Sequence, residues 1–265
     1  MPNNLMSQNF DPNQNYHSFN KKNSIPIVFI HGVGLDHQMW DYQINYFNEY
    51  STLTYDLLGH GKTPCDKDKL GLKDFSNQLL EILDHLKIEK INLIGFSLGS
   101  LIALDFSSNF QKKVEKLILI GTTYKRSDKE RSLVLDRYNQ AKLNKPISKQ
   151  ALKRWFSDKY LENNPKTYDL FIKILNKEPK DHKNFLKAYE LFANHYDDFE
   201  AIKKIDRKTL VMTGSDDAGS TPLMSKELVK DLANSTYIEI QNGKHLCSIE
   251  CADDVNMKIK NFINN

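Results

Sequence analysis

The pentapeptide GFSLG at 95–99 is the feature that most constrains how this chain can fold. The apolar residues before it predict a buried strand over 90–95, and the residues from 97 onward predict a helix, so almost no loop remains between the two elements. Such a tight turn holds its central residue in a strained conformation, and the residues two positions away must be small. The pattern predicts that the Ser97 hydroxyl lies at a helix N-terminus, where N–H groups favour negative charge.

Apolar strands alternate with amphipathic helices along most of the chain. This alternation is typical of a mostly parallel sheet with helices on both faces, so it predicts an α/β fold. The stretch NYHSFN (15–20) allows one edge strand, although no pattern in it requires one. The predicted strands are 25–30, 51–56, 90–95, 114–121, 208–214 and 236–240, and the predicted helices are 75–86, the segment from 97, 227–233 and 254–263.

The segment 124–205 departs from this alternation, because it is helical in pattern and contains no convincing buried strand. Ten of the chain's 28 aromatic residues lie in 151–200, which suggests a lid with an apolar underside. Alternatively, these aromatic residues form only a small core of their own. The predicted organisation is a polar N-terminal segment at 1–24, a core at 25–123 and 206–265, and a helical lid at 124–205.

Four further motifs accompany the serine. They are FIHGVGLD (29–36), YDLLGHGKT (55–63), LVMTGSDDAGSTP (210–222) and IQNGKHLCSIE (240–250). With the strand–GFSLG–helix junction, they resemble the α/β-hydrolase fold, which implies a mostly parallel central sheet, helices on both faces and a helical lid insertion. The closest resemblance is to the branch that contains 3-oxoadipate enol-lactonases and small carboxylesterases.

The resemblance implies a catalytic triad in the order serine, acid, histidine. Ser97 corresponds to the nucleophile and His245, which follows a strand and a glycine turn, corresponds to the base. Relatives place the acid fourth in G-x-x-D, which selects Asp217, and the adjacent Asp216 remains an alternative. No metal or organic cofactor is implied by this chemistry.

The same resemblance places an oxyanion hole at two backbone N–H groups. One belongs to Val33, which follows His-Gly in the first motif, and the other to Leu98, directly after the nucleophile. His31 is interpreted as a structural residue that braces the first of these loops. Since both donors are backbone groups, the side chains of Val33 and Leu98 carry little information about this role.

Two positions depart from the pattern of the family. Relatives usually end the motif at 55–63 in serine, where this chain has Thr63. They often have one more glycine directly after the last glycine of the serine motif, where this chain has Ser100. Asp56 and His60 of the 55–63 motif are interpreted as organising that loop rather than reacting.

The segment 124–210 carries 21 Lys or Arg residues against 13 Asp or Glu residues. A basic lid could attract an anionic acyl group, with Arg131, Arg137 or Arg154 as carboxylate partners. The alternative is that these charges are simply solvated.

Composition limits the classes of function. The net charge of +3 without a dense basic block argues against nucleic-acid binding, and no apolar run is long enough to span a bilayer. Without secretory features, the chain is expected to be soluble and cytoplasmic with reduced Cys65, Cys247 and Cys251. Cys247 and Cys251 lack histidines at zinc-ligand spacing, so a zinc site is not expected.

The sequence therefore predicts a hydrolase that cleaves a carboxylic ester or lactone of a small molecule through an acyl-enzyme. Alternatives on the same fold are hydrolysis of a C–C bond in a β-diketone, acyl transfer to another acceptor, and non-catalytic ligand binding. The acyl and alcohol parts of the substrate and the oligomeric state stay open.

Overall fold

A computed structural model describes residues 9–143 and 148–265 of the chain. Seven strands form one sheet in the order β1-β3-β2-β4-β5-β6-β7. The strands are β1 (His17–Asn20), β2 (Ile27–Ile30), β3 (Thr52–Tyr55), β4 (Ile91–Phe96), β5 (Val114–Ile120), β6 (Lys208–Gly214) and β7 (Ser235–Ile240).

All neighbouring strands pair in parallel except β1, which runs antiparallel to β3 at one edge. Within NYHSFN (15–20), residues 17–20 thus form the edge strand that the sequence allows. Residues 17–20 of the polar segment 1–24 therefore belong to the sheet, in a register that runs from His17 opposite Tyr55 to Asn20 opposite Thr52.

Helices connect the parallel strands. Those outside the β5–β6 connection are α1 (Asp41–Tyr46), α2 (Leu72–His85), α3 (Leu98–Asn109), α10 (Pro222–Asp231), α11 (Cys247–Glu250) and α12 (Ala252–Asn264). The β5–β6 connection holds six more, which we call the insertion: α4 (Asp128–Lys142), α5 (Ser148–Trp155), α6 (Asp158–Asn163), α7 (Pro165–Leu175), α8 (Pro179–Asn194) and α9 (Phe199–Lys203).

Both faces of the sheet are buried because the central strands are apolar throughout. Val28 and Ile30 contribute to a core cluster with α2, α3 and α10, whereas Ile27 and Phe29 contribute to a second cluster with α12. The alternation follows from the two-residue period of a strand. The strands form the mostly parallel sheet that the sequence predicts, and the carboxyl ends of the parallel strands lie on the same side of it.

The insertion packs onto both clusters rather than only on itself. Tyr138 and Phe185 belong to the first cluster, and Phe156 and Phe171 belong to the second. Its aromatic residues therefore extend both halves of the main core. This arrangement places the insertion over the carboxyl edge of the sheet, next to Gly34.

Helix α10 begins earlier than the hydrophobic pattern predicts. The sequence places this helix at 227–233, but it runs from Pro222 to Asp231. Thr221 caps it, since the Thr221 side chain accepts a hydrogen bond from the N–H of Met224, and Pro222 occupies the first turn. The capping residues define the start of this helix more accurately than its apolar periodicity.

Within the described ranges, none of the helices is both long enough and apolar enough to cross a membrane.

Candidate active site

The turn between β4 and α3 has the strained geometry that the glycine spacing predicts. Ser97 lies between the end of β4 at Phe96 and the start of α3 at Leu98, with φ 54° and ψ −116°. A Cβ on Gly95 would lie 2.2 Å from the carbonyl oxygen of Gly99, so residue 95 must lack a side chain. Backbone strain of this kind costs about 1–3 kcal/mol and persists where the surrounding packing imposes it.

Ser100 stands where relatives often have a further glycine after Gly99, and its side chain is accommodated in the turn. Its hydroxyl is fully buried and lies 2.8 Å from the carbonyl oxygen of Gly95 and 3.1 Å from that of Ile120. The N–H of Ser97 donates to the same Ile120 carbonyl at 3.0 Å. The substitution therefore adds a contact between α3 and the strands β4 and β5.

Asp217 and His245 are brought together across the ends of β6 and β7. The Nδ1 of His245 lies 2.6 Å from Oδ2 of Asp217, whose side chain is buried. Oδ1 of Asp217 accepts hydrogen bonds from the N–H groups of Gly219 and Ser220, each at 2.9 Å. The carboxylate is thus held by its own loop while one oxygen faces the imidazole.

Asp216, the alternative acid, points elsewhere. Its Oδ1 accepts a hydrogen bond from the hydroxyl of Ser215 at 3.1 Å, and it makes no hydrogen bond to His245 within the described residues. Of the two aspartates in this loop, the geometry pairs Asp217 with the histidine.

His245 lies against the serine turn. Its ring packs on Phe96, the residue before Ser97, with centroids 4.8 Å apart at 50°. A Cβ on Gly121 would lie 3.3 Å from the imidazole, so Gly121 lets the ring approach β5. The described residues show no hydrogen bond between Ser97 Oγ and His245; such bonds are often long in enzymes without substrate and tighten when it binds.

Val33 and Leu98 present N–H groups beside this turn. Among the described residues neither N–H has a hydrogen-bond partner, whereas those of Gly34 and Leu35 are bound to His60 Nε2 and to the Gly32 carbonyl. Free, preoriented N–H groups at the start of a helix and in a tight loop are suited to bind an oxygen that acquires negative charge. The two residues predicted as donors therefore have available donors.

Two buried histidines hold the loop that contains Val33. His31 Nε2 accepts the N–H of Leu57 at 3.0 Å, and His60 Nε2 accepts the N–H of Gly34 at 3.1 Å. A ring nitrogen that accepts a backbone N–H must be unprotonated, and burial lowers the pKa of both histidines, that of His60 well below its usual value. Both therefore act as neutral braces.

Asp56 fixes the adjoining loop and does not reach the serine turn. It accepts hydrogen bonds from the N–H groups of His37 and Lys62 and from His37 Nδ1, the last at 2.7 Å. Burial opposes its charge, but these hydrogen bonds and the positive charge that His37 carries when protonated hold the pKa of Asp56 below its usual value. The carboxylate likewise raises the pKa of His37 against the effect of burial.

Sequence reasoning missed the contribution of the N-terminal segment to this loop. The hydroxyl of Thr63 accepts the N–H of Tyr16 at 3.0 Å, and the N–H of Asp56 donates to the Tyr16 carbonyl at 3.1 Å. The side chain of Gln78 joins Asn15 to the Asp56 carbonyl. Thr63 keeps the hydroxyl of the serine that relatives usually have there, which indicates a hydrogen bond at this position but does not identify Tyr16 as its partner.

The three lid arginines differ in how they are engaged. Arg131 donates to the backbone carbonyls of Arg126 and His195 and lies 3.9 Å from the ring of Tyr196, so its guanidinium is occupied. Among the described residues, Arg154 donates only to the Gln150 carbonyl.

No carboxylate lies within 4 Å of Arg137 or Arg154 in the described part of the chain. Burial, and then the nearby charge of Arg137, lower the pKa of Arg154. Arg137 therefore lies near enough for its charge to act on Arg154, whose side chain is exposed, and among the described residues neither guanidinium has a carboxylate partner.

Among the described residues, none of the three cysteine thiols hydrogen-bonds to Ser97, Asp217 or His245. Cys65, Cys247 and Cys251 carry free thiols, and Cys247 is buried in the second core cluster. Burial raises the pKa of the Cys247 thiol, which keeps it in the unreactive protonated form. In the described ranges, no three His, Cys, Asp or Glu side chains are grouped so that they could hold a metal ion.

The sequence of this chain is similar to those of known proteins. The model of the α/β-hydrolase fold family matches residues 25–251. A (E)-2-((N-methylformamido)methylene)succinate hydrolase from Acinetobacter baylyi is 27% identical over 255 residues, covering 95% of each chain. The 3-oxoadipate enol-lactonase 2 of the same organism is 23% identical over 237 residues, covering 89% of this chain and 87% of its own.

A solved structure supports the fold. The crystal structure of the enol-lactonase from Burkholderia xenovorans LB400 superposes with a TM-score of 0.87 at 23% identity, covering 95% of this chain and 96% of that one. The family match spans most of the chain and includes the serine turn, both loops that support it and the Asp217–His245 pair. The chain therefore belongs to the α/β-hydrolase fold family and lies close to its 3-oxoadipate enol-lactonase branch.

Proposed function

We propose that this hydrolase cleaves a carboxylic ester or lactone, with Ser97 as nucleophile, His245 as base and Asp217 as the acid that orients the base. The observation that carries the proposal is the 2.6 Å contact between His245 Nδ1 and Asp217 Oδ2, made while the imidazole packs on Phe96 beside Ser97. Because Asp217 accepts a hydrogen bond from Nδ1–H, the proton of the neutral imidazole stays on Nδ1, and Nε2 is free to take the proton of Ser97.

The first half of the reaction forms an acyl-enzyme. Ser97 Oγ attacks the carbonyl carbon as its proton passes to His245 Nε2, and the carbonyl electron pair moves onto the oxygen. The N–H groups of Val33 and Leu98 bind this oxyanion; removing one such donor typically costs about 10²–10³ in rate. The tetrahedral intermediate then breaks its bond to the leaving oxygen, which receives the proton from His245.

The second half releases the acid. Water gives a proton to His245 Nε2 and attacks the acyl carbon, and the same two N–H groups bind the new oxyanion. When the intermediate breaks, Ser97 recovers its proton from His245 and the carboxylic acid leaves. In a lactone the first leaving oxygen stays attached to the acyl chain, so one product results.

We further propose that the substrate carries a carboxylate besides the bond that is cleaved. The names of the two relatives from Acinetobacter baylyi refer to succinate and to 3-oxoadipate, both of which are carboxylic acids. In this chain burial, and then the charge of Arg137, lower the pKa of Arg154. Among the described residues, no carboxylate lies within 4 Å of either guanidinium. An anion beside both guanidiniums would relieve their mutual repulsion.

The experiment compares hydrolysis of matched neutral and carboxylate-bearing p-nitrophenyl esters, simple lactones and a β-diketone by the native protein and by Ser97→Ala. We expect hydrolysis of esters or lactones by the native protein and its loss in Ser97→Ala. Arg154→Gln should raise KM about tenfold or more for the anionic esters alone, as loss of a charge-assisted contact does. Arg207→Gln, whose arginine pairs with Asp206 directly before β6, is the matched control.

Other outcomes would select another function. Cleavage of the β-diketone without ester turnover would favour a C–C hydrolase, and product formation only with an added alcohol acceptor would favour an acyltransferase. Ligand binding without any turnover would favour a non-catalytic member of the family. Equal effects of Arg154→Gln on neutral and anionic esters would contradict the proposed carboxylate recognition.

A further inference from the structure

The loop that carries His245 is supported from two sides. Before the histidine, residues 242 and 243 are bonded to the loop that contains Asp217. The N–H of Asn242 donates to Ser215 Oγ at 2.9 Å, and the carbonyl of Gly243 accepts the N–H of Asp216 at 2.9 Å. These contacts join two loops of the core. They leave residues 244–246, which include the histidine itself, to be held by other groups.

The second support comes from the insertion, at the corner where α5 turns into α6. The N–H of Leu246 donates to the Trp155 carbonyl at 3.0 Å, and Lys244 Nζ donates to the Lys153 carbonyl at 2.9 Å. Both neighbours of His245 in sequence are therefore bonded to this corner. Leu246 is also fully buried in the core cluster to which Phe156 belongs.

Glu250 joins the two segments through one carboxylate. Its Oε2 accepts the N–H of Lys244 at 3.2 Å, and its Oε1 accepts the N–H of Ser157 at 3.1 Å. Ser157 is the residue that caps α6, and Lys244 directly precedes the histidine. One side chain thus satisfies a backbone donor in the insertion and a backbone donor in the base loop.

We infer that Glu250 is a positioning residue: it sets the place of His245 over Ser97 by tying the base loop to the α5–α6 corner of the insertion. This inference rests on the proposed function. Glu250 touches neither the reacting atoms nor the serine turn. It acts through the backbone of Lys244, and the insertion then serves as a support for the base as well as a cover.

The expected consequence is a loss in the chemical step. Removing the carboxylate leaves the N–H groups of Lys244 and Ser157 without their acceptor. Residues 244–246 then lose this tie to the insertion and keep only those of the Leu246 N–H and Lys244 Nζ. A displacement of about 1 Å in a reacting group can cost about 10² in rate. Substrate contacts elsewhere are unchanged, so binding should change little.

The test measures covalent labelling of Ser97 by an alkyl fluorophosphonate, which needs no knowledge of the substrate. The maximal labelling rate and the probe concentration at half-maximal rate are determined for the native protein, Glu250→Ala and Glu250→Gln. We expect Glu250→Ala to lower the maximal rate between about tenfold and 10²-fold, with the half-maximal concentration within about twofold. Glu250→Gln keeps one acceptor and should recover part of the rate.

Gln111 offers a matched control. Its side chain also bridges two backbone groups between the core and the end of the insertion, since Nε2 donates to the Lys204 carbonyl at 2.9 Å and Oε1 accepts the N–H of Asp206 at 3.0 Å. It lies just before the amino end of β5, whereas Ser97 follows the carboxyl end of β4. Gln111→Ala should therefore leave the maximal labelling rate within about twofold of the native value.

The outcomes separate the inference from the proposed function. A native protein whose Ser97 is not labelled would overturn the proposed function, and this inference with it. A labelled native protein, with Glu250→Ala no slower than Gln111→Ala or changed only in the half-maximal concentration, would overturn the inference alone. If Glu250→Ala does not fold, Glu250→Gln decides: a maximal rate equal to the native one overturns the inference, and a lower rate supports it.

Discussion

The serine turn and the base loop meet at the same site but are held in different ways. The turn is held by backbone contacts among near neighbours and adjacent strands: Gly95 lies against Gly99, and Gly99 in turn against the carbonyl of Ile30. The base loop is held by groups far away in sequence, including the Asp217 carboxylate and the Trp155 carbonyl, 28 and 91 positions from the residues that they contact. A local pattern specifies the first, whereas the second needs the completed fold.

This difference predicts how each element responds to substitution. In the turn, an added side-chain atom would overlap tightly packed backbone atoms, so a substitution there should lower the free energy of unfolding. In the supporting loops, the lost group is an acceptor or an orienting side chain, so the cost falls on the rate.

The largest effect on stability is expected for Gly95→Ala. The added Cβ would lie 2.2 Å from the Gly99 carbonyl oxygen and 2.8 Å from Ser100 Cα, both backbone atoms. We expect the free energy of unfolding to fall by about 3 kcal/mol or more, at the upper end for overpacked sites. Urea denaturation followed by circular dichroism measures it.

Gly71→Ala is the control for this substitution. A Cβ there meets only Asp74 Oδ2, at 3.6 Å, which is ordinary contact. Its free energy of unfolding should stay within about 1 kcal/mol of the native value. Equal stability of the two variants would show that the serine turn is not the rigid element described above.

A smaller effect, on rate, is expected when His60 is replaced. His60→Ala removes the acceptor of the Gly34 N–H, next to the donor of Val33, whereas His60→Gln can place an amide oxygen where Nε2 was. Leaving a buried donor unpaired costs about 1–3 kcal/mol, so we expect His60→Ala to lower kcat about tenfold and His60→Gln to recover most of it. If both variants lose the same rate, the brace does not act through this hydrogen bond.

The free energy of unfolding should also depend on pH. His31 and His60 have lowered pKa values in the folded chain, so below about pH 6.5 the unfolded chain binds protons that the folded chain does not, and the free energy of unfolding falls. Each contributes up to about 1.4 kcal/mol per pH unit. His37 has the opposite sign: its raised pKa adds stability that is lost as the pH rises through that value.

Burial also lowers the pKa of His17, and His60→Gln removes one of these destabilising imidazoles. The decrease in unfolding free energy between pH 6.5 and 5 should therefore be shallower in this variant, as urea midpoints at several pH values would show. An unchanged slope would mean that His60 is not the titrating group.

Much of the fold follows from local patterns. The alternation of apolar strands and amphipathic helices predicts the parallel sheet, and the glycine spacing predicts the strained turn at Ser97. Apolar periodicity alone places α10 at 227–233, whereas the capping signals at Thr221 and Pro222 mark its actual start. Periodicity reports the buried face of a helix, and its ends are set by capping.

The rest depends on contacts between distant parts of the chain. A basic segment does not reveal which arginine is engaged, and Arg131 is bound to the His195 carbonyl 64 positions away. Similarly, nothing local in the sequence connects Glu250 with Ser157, or Tyr16 with Thr63. These contacts form only once the sheet has brought the segments together.

The central claim is that Ser97 is the nucleophile activated by His245 and Asp217. The most direct measurement is peptide mapping by mass spectrometry after treatment with an alkyl fluorophosphonate, with Asp217→Asn beside the native protein. We expect one adduct per chain, located on Ser97, and labelling that is slower by up to about 10⁴ in Asp217→Asn, because the base then loses its orientation and tautomer. No adduct, an adduct on another residue, or equal labelling of the two proteins would contradict the account.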